Sequence, residues 1–129
     1  MIKIGNSILD ADSLIDEGCY EGEIVDIRDG GKVKISSETR NSIDIDFKLD
    51  VDGISRIKTK KYVATNIEGS QLNELAEEFH EIIVENEDGK EYIDLNQLID
   101  KECIVEIIHN KSKRGYVFDN IGEVKRRDS

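Results

Sequence analysis

The sequence has no proline, only two cysteines, and aromatic residues make up just 5% of its 129 positions. It has no run of about 18 apolar residues and no basic segment leading into an apolar one, so we expect neither a membrane span nor a secretory signal, and a cytoplasmic location. Cys19 and Cys103 belong to no Cys-x-x-Cys pair, which favours two reduced thiols over a disulfide or a metal site. Without repeats or a low-complexity linker, the chain is predicted to form one domain with its own hydrophobic core.

Sequence motifs of enzymes are also missing. There is no Walker loop, no Gly-x-Ser-x-Gly and no His-Glu-x-x-His. His80 falls on a predicted helix among glutamates, His109 falls at a strand end, and neither has a nucleophile nearby in sequence. The aspartate ladder from Asp44 to Asp52 could hold Mg²⁺, but alternate aspartates on a strand are explained more simply by a solvent-facing side. We therefore predict no enzymatic activity, no metal and no cofactor.

Charge is segregated along the chain. The formal net charge is −11, with +3 in residues 28–66, +3 in residues 107–129, −6 in residues 1–27 and −11 in residues 67–106. Because salt screens exposed charges beyond about 10 Å, the local field at a surface matters more than the total charge. The composition therefore excludes a general basic coat but allows a polyanion site built from the basic segments.

The clearest pattern lies in residues 43–52. Apolar residues occupy every second position from Ile43 to Val51, with charged residues between them, and this period of two predicts a half-buried strand. Asp52-Gly53 then predicts a tight hairpin turn. The return strand from Ile54 is rich in cations and ends on a tyrosine: Arg56, Lys58, Lys60, Lys61 and Tyr62.

Other strand-like segments precede this hairpin. Residues 18–27 are predicted to be a strand that ends in a turn at Asp29-Gly30-Gly31. A short alternating strand at residues 32–36 and an irregular loop at residues 36–42 are predicted to follow.

A helix and two further strands follow the hairpin. Ser70 is an N-cap candidate for an amphipathic helix over residues 71–83, because apolar residues recur there every three and four positions. A polar turn at residues 86–90 and a short helical segment from Asp94 lead to strands at residues 102–109 and 115–124.

Five antiparallel strands with one helix between the third and fourth strands are the element order of the OB-fold, a small Greek-key barrel. The fold prediction is therefore a mainly β chain with one helix, in which residues 18–125 form the barrel. Residues 1–17 would be an N-terminal arm or edge segment, and residues 126–129 a basic tail. Other small α+β sheets and an SH3-like barrel are the alternatives, and the central helix disfavours the SH3-like barrel.

Three stretches resemble the small phage-encoded single-stranded-DNA-binding proteins of OB-fold type. They are EGCYEGEIVDI at 17–27, IDIDFKLDVDG at 43–53 and IDLNQLIDKECIVEIIHNKSKRGYVFDNIGEV at 93–124. In that group a Leu-x-Gly-Lys lead into a strand, a polar loop, Gly-Tyr and a final strand recur, and the last stretch resembles this order. The chain departs from this pattern at Asp100, where glycine is common, and in its ending KRRDS, which is not an acidic tail with an aromatic tip.

The resemblance implies a non-catalytic role in phage replication or recombination. Single-stranded DNA would be the ligand, and replication or recombination proteins of phage or host would be the partners. Recruitment of those partners through an acidic C-terminus is not expected, because the chain ends in KRRDS. The choice between DNA and RNA, and self-association into a homo-oligomer, stay open.

Binding a single strand without sequence choice needs cations for phosphates and flat rings on which bases stack. An OB barrel usually binds through its second and third strands and through the loops that join strands one and two and strands four and five. The cations of this chain fall in those segments, and two tyrosines adjoin them. The predicted nucleic-acid-binding residues are Lys32, Lys34, Lys48, Arg56, Lys58, Lys60, Lys61, Tyr62, Lys111, Lys113, Arg114 and Tyr116.

Two simpler interpretations remain open for these residues: a solvated face for the lysines, and ordinary core or rim packing for the tyrosines. A competing hypothesis makes the acidic residues 67–106 a protein-interaction module or a DNA mimic that inhibits a nucleic-acid enzyme. Charge reversal at Lys58, Lys60 and Lys61 is expected to abolish single-strand binding and to spare a function of the acidic face.

Overall fold

The computed structural model describes residues 3–4, 7–8, 14–35, 37–64 and 70–127. In chain order, its elements are β1 (Lys3–Ile4), β2 (Ser7–Ile8), β3 (Gly18–Ile35), β4 (Glu38–Val51), β5 (Ile54–Val63), α1 (Gln71–Glu78), β6 (Ile83–Glu85), β7 (Glu91–Ile93), β8 (Glu102–Lys111) and β9 (Val117–Arg126). Short 3-10 helices occupy His80–Ile82 and Leu95–Leu98.

One sheet dominates the fold. Its five long strands are all antiparallel and lie in the order β9-β8-β3-β4-β5, and the short strands β1 and β2 extend it beyond β9. Strands β6 and β7 form a separate small hairpin. The prediction of a mainly β chain with one helix and five antiparallel strands is confirmed.

The turn predicted at Asp29-Gly30-Gly31 is wrong, because β3 continues through it. The pairing of β3 with β4 shifts register between Asp29 and Gly31, and Gly31 has a φ of 80°. A glycine with positive φ is typical of a β-bulge, which bends a strand without ending it. The loop predicted at residues 36–42 is also wrong beyond its start, since β4 begins at Glu38 and its residues pair with β3.

The predicted hairpin of β4 and β5 is present. Asp52 and Gly53 have φ values of 55° and 84°, as the central residues of the tightest hairpin turn require. On β4, the alternate residues Ile45, Phe47 and Leu49 are completely buried. The period of two in the sequence therefore identifies the face of this strand that packs on the core.

Helix α1 covers the same core from one side. The Ser70 side chain accepts a hydrogen bond from the Asn73 N–H, which is an N-cap arrangement. Leu72, Leu75 and Ala76 are buried, as predicted from their spacing, but α1 ends at Glu78 rather than near residue 83. No helix in the described part of the chain is long and apolar enough to cross a membrane.

The chain ends differ from the predicted boundaries. Strand β9 extends to Arg126, whose backbone N–H donates to Glu78 Oε2 over 2.7 Å. The predicted basic tail therefore loses its first residue to the sheet, and residues 128–129 lie outside the described residues. In the predicted arm, Ile15 is 1% exposed and belongs to the core, while residues 1–2, 5–6 and 9–13 lie outside the described residues.

Candidate nucleic-acid interface

Three of the four cations of β5 lie on the face of the sheet that packs on the core, contrary to the prediction that they form an exposed binding strand. The two-residue turn places Arg56 opposite Leu49, Lys58 opposite Phe47 and Lys60 opposite Ile45. Directly opposed residues of an antiparallel pair lie on the same face. Arg56, Lys58 and Lys60 are accordingly only partly exposed and share the face of the core residues.

Lys58 is part of a buried ion pair. Its Nζ lies 2.7 Å from Asp119 Oδ1, and the two side chains are 16% and 2% exposed. The other oxygen, Asp119 Oδ2, accepts a hydrogen bond from the Ile15 N–H over 2.7 Å. Asp119 therefore ties β9 to the edge strand β5 and to the segment before β3.

Lys60 and Tyr62 are also used inside the protein. Lys60 Nζ donates to the Gly122 carbonyl over 2.8 Å and lies 5.3 Å from the centre of the Tyr62 ring. Burial lowers the pKa of Lys60, partly offset by Glu74, and burial likewise raises the pKa of Tyr62. Because Tyr62 is 2% exposed, no base can stack on it in this structure, and the stacking role predicted for it is contradicted.

These contacts join β5 and β9, the outer two of the five long strands. Lys58 contacts Asp119, and Lys60, two residues further along β5, contacts Gly122, three residues further along β9. Strands β5 and β9 therefore run side by side in the same direction, although no backbone ladder pairs them in the described part of the chain. Lysine side chains of β5 therefore bridge to β9 where the two strands run side by side.

The outward face of β3, β4 and β5 is more acidic than basic. It carries six acids and three bases: Glu21, Glu23, Asp26, Asp44, Asp46, Asp50, Arg28, Lys48 and Lys61. The bases are paired with the acids, since Lys48 lies 4.0 Å from Glu23 and Lys61 lies 2.9 Å from Asp44, and Arg28 contacts Asp46. Ion pairs of this kind leave little positive field for a phosphate.

Lys61 fixes the point where the hairpin of β3 and β4 leaves the body of the protein. Besides its contact with Asp44, its ammonium group donates to the Gly30 carbonyl and lies 3.4 Å from Ser42 Oγ. A Cβ atom on Gly30 would lie only 2.9 Å from Lys61 Nζ. Lys61, which was predicted to bind nucleic acid, therefore acts as a clamp that holds β3 against β4 at this point. Its ammonium group fits there because residue 30 is a glycine and has no Cβ atom.

Beyond this clamp, the ends of β3 and β4 form an exposed two-stranded ribbon, residues 31–35 and 37–41. Lys32 and Lys34 are exposed and pair across the ladder with Asn41 and Thr39. Neither lysine makes an ion pair with the described residues. Arg40, which was not among the predicted site residues, also lies on the ribbon and contacts Glu38 over 2.7 Å.

A second group of exposed cations lies in the turn between β8 and β9. Lys111, Lys113 and Arg114 are exposed, and no ion pair joins them to other described residues. The turn is ordered by its own backbone, because the Ser112 N–H donates to the Tyr116 carbonyl over 2.8 Å and Gly115 has a φ of 88°. Tyr116 is half-buried beside them, so part of its ring remains accessible.

The ribbon and the β8–β9 turn are not brought together into one cluster. The ribbon begins where Ser42 pairs with Val63, near the end of β5. Asp119 contacts Lys58 midway along β5. The β8–β9 turn precedes Val117, and because β9 runs in the same direction as β5, this turn lies toward the start of β5. The two exposed basic groups therefore lie toward opposite ends of the acidic outward face.

The aspartate ladder and the histidines hold no arrangement typical of a metal site. Among the described residues, no group of three or more His, Cys, Asp or Glu side chains is placed to hold a metal ion. Asp44 and Asp46 are engaged by Lys61 and Arg28. The His109 ring contacts the Ile15 carbonyl over 2.7 Å, which is a structural role.

The sequence does not single out two carboxylates that form ion pairs inside the fold, those of Asp119 and Glu81. Asp119 gives no distinct signal in the sequence, because β9 mixes apolar and polar residues. Glu81 lies 3.0 Å from Lys101 Nζ and also contacts Arg126. Partial burial would raise the pKa of Glu81, but hydrogen bonds from Arg126, its own backbone and Lys101 outweigh it and lower that pKa to about 2.

The departure at Asp100 has a structural explanation. Asp100 has a φ of 73°, a conformation that glycine adopts most readily. Its N–H donates to the Ile24 carbonyl over 2.7 Å, and the Ile24 N–H donates to the Lys101 carbonyl over 3.0 Å. The backbone here keeps the shape that glycine favours and joins β3 to the start of β8.

Comparison of the sequence with family models and with curated proteins finds no match to either.

Proposed function

We propose that this protein binds single-stranded DNA without catalysis, using the ribbon and the β8–β9 turn as its main phosphate contacts. The observation that carries the proposal is the position of the cations that are exposed and make no ion pair with other described residues. Among the predicted site residues these are Lys32, Lys34, Lys111, Lys113 and Arg114. Lys32 and Lys34 lie near the end of β3, the first long strand, where it leads into the second. Lys111 is the last residue of β8, and Lys113 and Arg114 lie in the turn between the fourth and fifth long strands.

The strand order supports an OB-type barrel as the scaffold. The second connection of the long strands is the tight hairpin, and the third carries α1. The side-by-side edges β5 and β9, bridged by lysines, are the two strands that meet when such a sheet rolls up. In OB-folds, the loops between strands one and two and between strands four and five flank the face that binds oligonucleotides. The exposed cations of this chain lie at or next to the corresponding connections.

The binding surface we propose differs from the one predicted from sequence. Lys58, Lys60 and Tyr62 are excluded from it because their side chains are used inside the protein, and Lys48 and Lys61 are neutralised by acids. A strand would cross from the ribbon to the β8–β9 turn and meet few aromatic rings on the way, with Tyr116 as the stacking candidate. Phosphate contacts would then supply most of the affinity, so binding should be strongly salt-dependent.

The role in phage replication or recombination rests on the resemblance of the sequence to phage proteins alone. It enters the proposal as the process in which a single-strand binder of this type would act.

The test is fluorescence anisotropy of a labelled oligo-dT of about 30 nucleotides, titrated at several salt concentrations with a duplex control. We expect tight binding of the single strand alone at low salt. The variants Lys32→Gln/Lys34→Gln and Lys111→Gln/Lys113→Gln should each bind more weakly. Each should also flatten the plot of log affinity against log salt by roughly 1.4, because each lost phosphate contact removes about 0.7.

The matched control is Lys90→Gln/Lys125→Gln, which removes two exposed lysines outside both groups. It should bind oligo-dT as the unmodified protein does. Absence of binding at low salt would overturn the proposal. An equal loss in the control variant would show that only total charge matters, and would overturn the assignment of the ribbon and the turn.

A further inference from the structure

A cleft of about 540 Å³ opens between α1 and the two edge strands β5 and β9. Its volume falls in the range of roughly 300–1,000 Å³ that is usual for binding sites. Lys60 and Tyr62 come from β5, Glu74 and Glu77 from α1, and Gly122 and Val124 from β9. The cleft is the part of the space between β5 and β9 that Lys58 and Lys60 do not bridge.

The backbone of Val124 faces this cleft. The Arg126 N–H donates to Glu78, so it points away from β8. Because β9 pairs with β8 without a register shift from Val124 to Arg126 and backbone groups alternate along a strand, the N–H and C=O of Val124 also point away from β8. The Gly122 carbonyl bonds to Lys60, so side chains satisfy the backbone on either side of Val124, whereas the N–H and C=O of Val124 lie at an open edge of β9.

The rim of the cleft is acidic. Glu74 and Glu77 are exposed and make no ion pair with the described residues, and Glu123 pairs with Lys125 over 2.9 Å. With Glu78, four carboxylates face two ammonium groups, those of Lys60 and Lys125. Because the carboxylates outnumber the ammonium groups, the field at the mouth of the cleft is negative.

We propose that this cleft binds an extended, lysine- or arginine-bearing segment of a partner protein. The segment would hydrogen-bond to the backbone N–H and C=O of Val124 and so add to the edge of β9. This is the mode in which an extended peptide joins an exposed strand. Alternate side chains of the segment would point toward α1, where Glu74 and Glu77 would pair with its cations. The neutral and apolar residues between them would lie over Leu75 and Val124, which also line the cleft.

The test measures binding of a fluorescent peptide of alternating lysine and valine to the full-length protein in the absence of DNA. We expect saturable binding that weakens at least tenfold in Glu74→Gln/Glu77→Gln. The control Glu85→Gln/Glu91→Gln removes two exposed acids of the β6–β7 hairpin and should bind the peptide unchanged. The same peptide with N-methylated amides at alternate residues should lose most of its affinity, because it cannot pair with a strand edge.

Three results would overturn the proposal. Absence of peptide binding at low salt would show that the cleft is not a site for such a segment. Equal weakening in both double variants would mean that the acidic surface attracts cations without a defined site. Undiminished binding of the N-methylated peptide would rule out strand addition.

Discussion

The inward position of the β5 lysines can be tested most sharply at Lys58. The substitution Lys58→Met keeps the length and the apolar stem of the side chain but removes the ammonium group. Asp119, which is 2% exposed, would then keep only the hydrogen bond from the Ile15 N–H. If Lys58 were instead an exposed phosphate contact, the same substitution would hardly affect stability.

The size of the effect follows from the burial of the pair. Removing one partner of a buried ion pair usually costs about 3–5 kcal/mol, because the remaining charge is buried without compensation. Lys58 keeps 16% exposure, so we expect a loss near the lower end, about 3 kcal/mol. For a chain of this length, that corresponds to a fall in Tm of roughly 10 °C.

The assay is urea denaturation followed by circular dichroism. Lys32→Met, which removes an exposed lysine of the ribbon, is the control, and its free energy of unfolding should stay within about 0.5 kcal/mol of the unmodified protein. The double variant Lys58→Met/Asp119→Asn also removes the negative charge of Asp119, which Lys58→Met alone would leave buried without a partner. It should be less destabilised than the two single losses added together, with a coupling of at least about 1 kcal/mol.

Oligo-dT binding provides the second half of the test. Folded Lys58→Met should keep the affinity of the unmodified protein, whereas Lys32→Met should bind less well. A Lys58→Met variant that is fully stable but binds oligo-dT poorly would refute the reasoning, because it would place the ammonium group at the surface.

Three further outcomes are expected. Gly30→Ala would put a Cβ 2.7 Å from Ser42 Oγ and 2.9 Å from Lys61 Nζ. Denaturation should show a loss of about 1–3 kcal/mol that is smaller when Lys61 is already methionine; an unchanged stability would contradict the clamp. Because the pKa of Glu81 is lowered to about 2, its contribution should be complete above about pH 4.5 and disappear as the pH falls toward 2. Glu81→Gln should therefore flatten the acid limb of a stability–pH curve, and an identical limb would refute the pairing. Burial raises the pKa of Cys103 to about 12, whereas Cys19 is exposed, so a thiol reagent should label Cys19 at once and Cys103 only on unfolding; simultaneous labelling would contradict the buried position.

The elements that the sequence predicts well are those whose pattern is local. The alternation from Ile43 to Val51 and the Asp52-Gly53 turn depend only on neighbouring residues, and both are present as predicted. The buried stripe of α1 follows in the same way from its spacing. The predictions fail where pairing with another strand overrides the local composition. Asp29-Gly30-Gly31 has the composition of a turn, but pairing with β4 makes it a bulge within β3.

The orientation of β5 could have been worked out from sequence, and it was missed. Once a two-residue turn is accepted at Asp52-Gly53, Lys58 must oppose Phe47 and Lys60 must oppose Ile45, and opposed residues share a face. Ile57, the apolar residue between them, is then left outward, where it is 55% exposed. Composition suggested an exposed cationic strand, but register decides which side the cations occupy.

By itself, the sequence determined the hairpin of β4 and β5 and the buried stripe of α1, because side-chain periodicity and turn residues act over a few positions. Only the tertiary structure decided where strands continue through turn-like residues and which charges are available. Asp119 is 61 residues from Lys58 along the chain, and Arg126 is 45 residues from Glu81. No local pattern shows whether a lysine ends in water or on a buried carboxylate, because that depends on which distant strands come together in the fold.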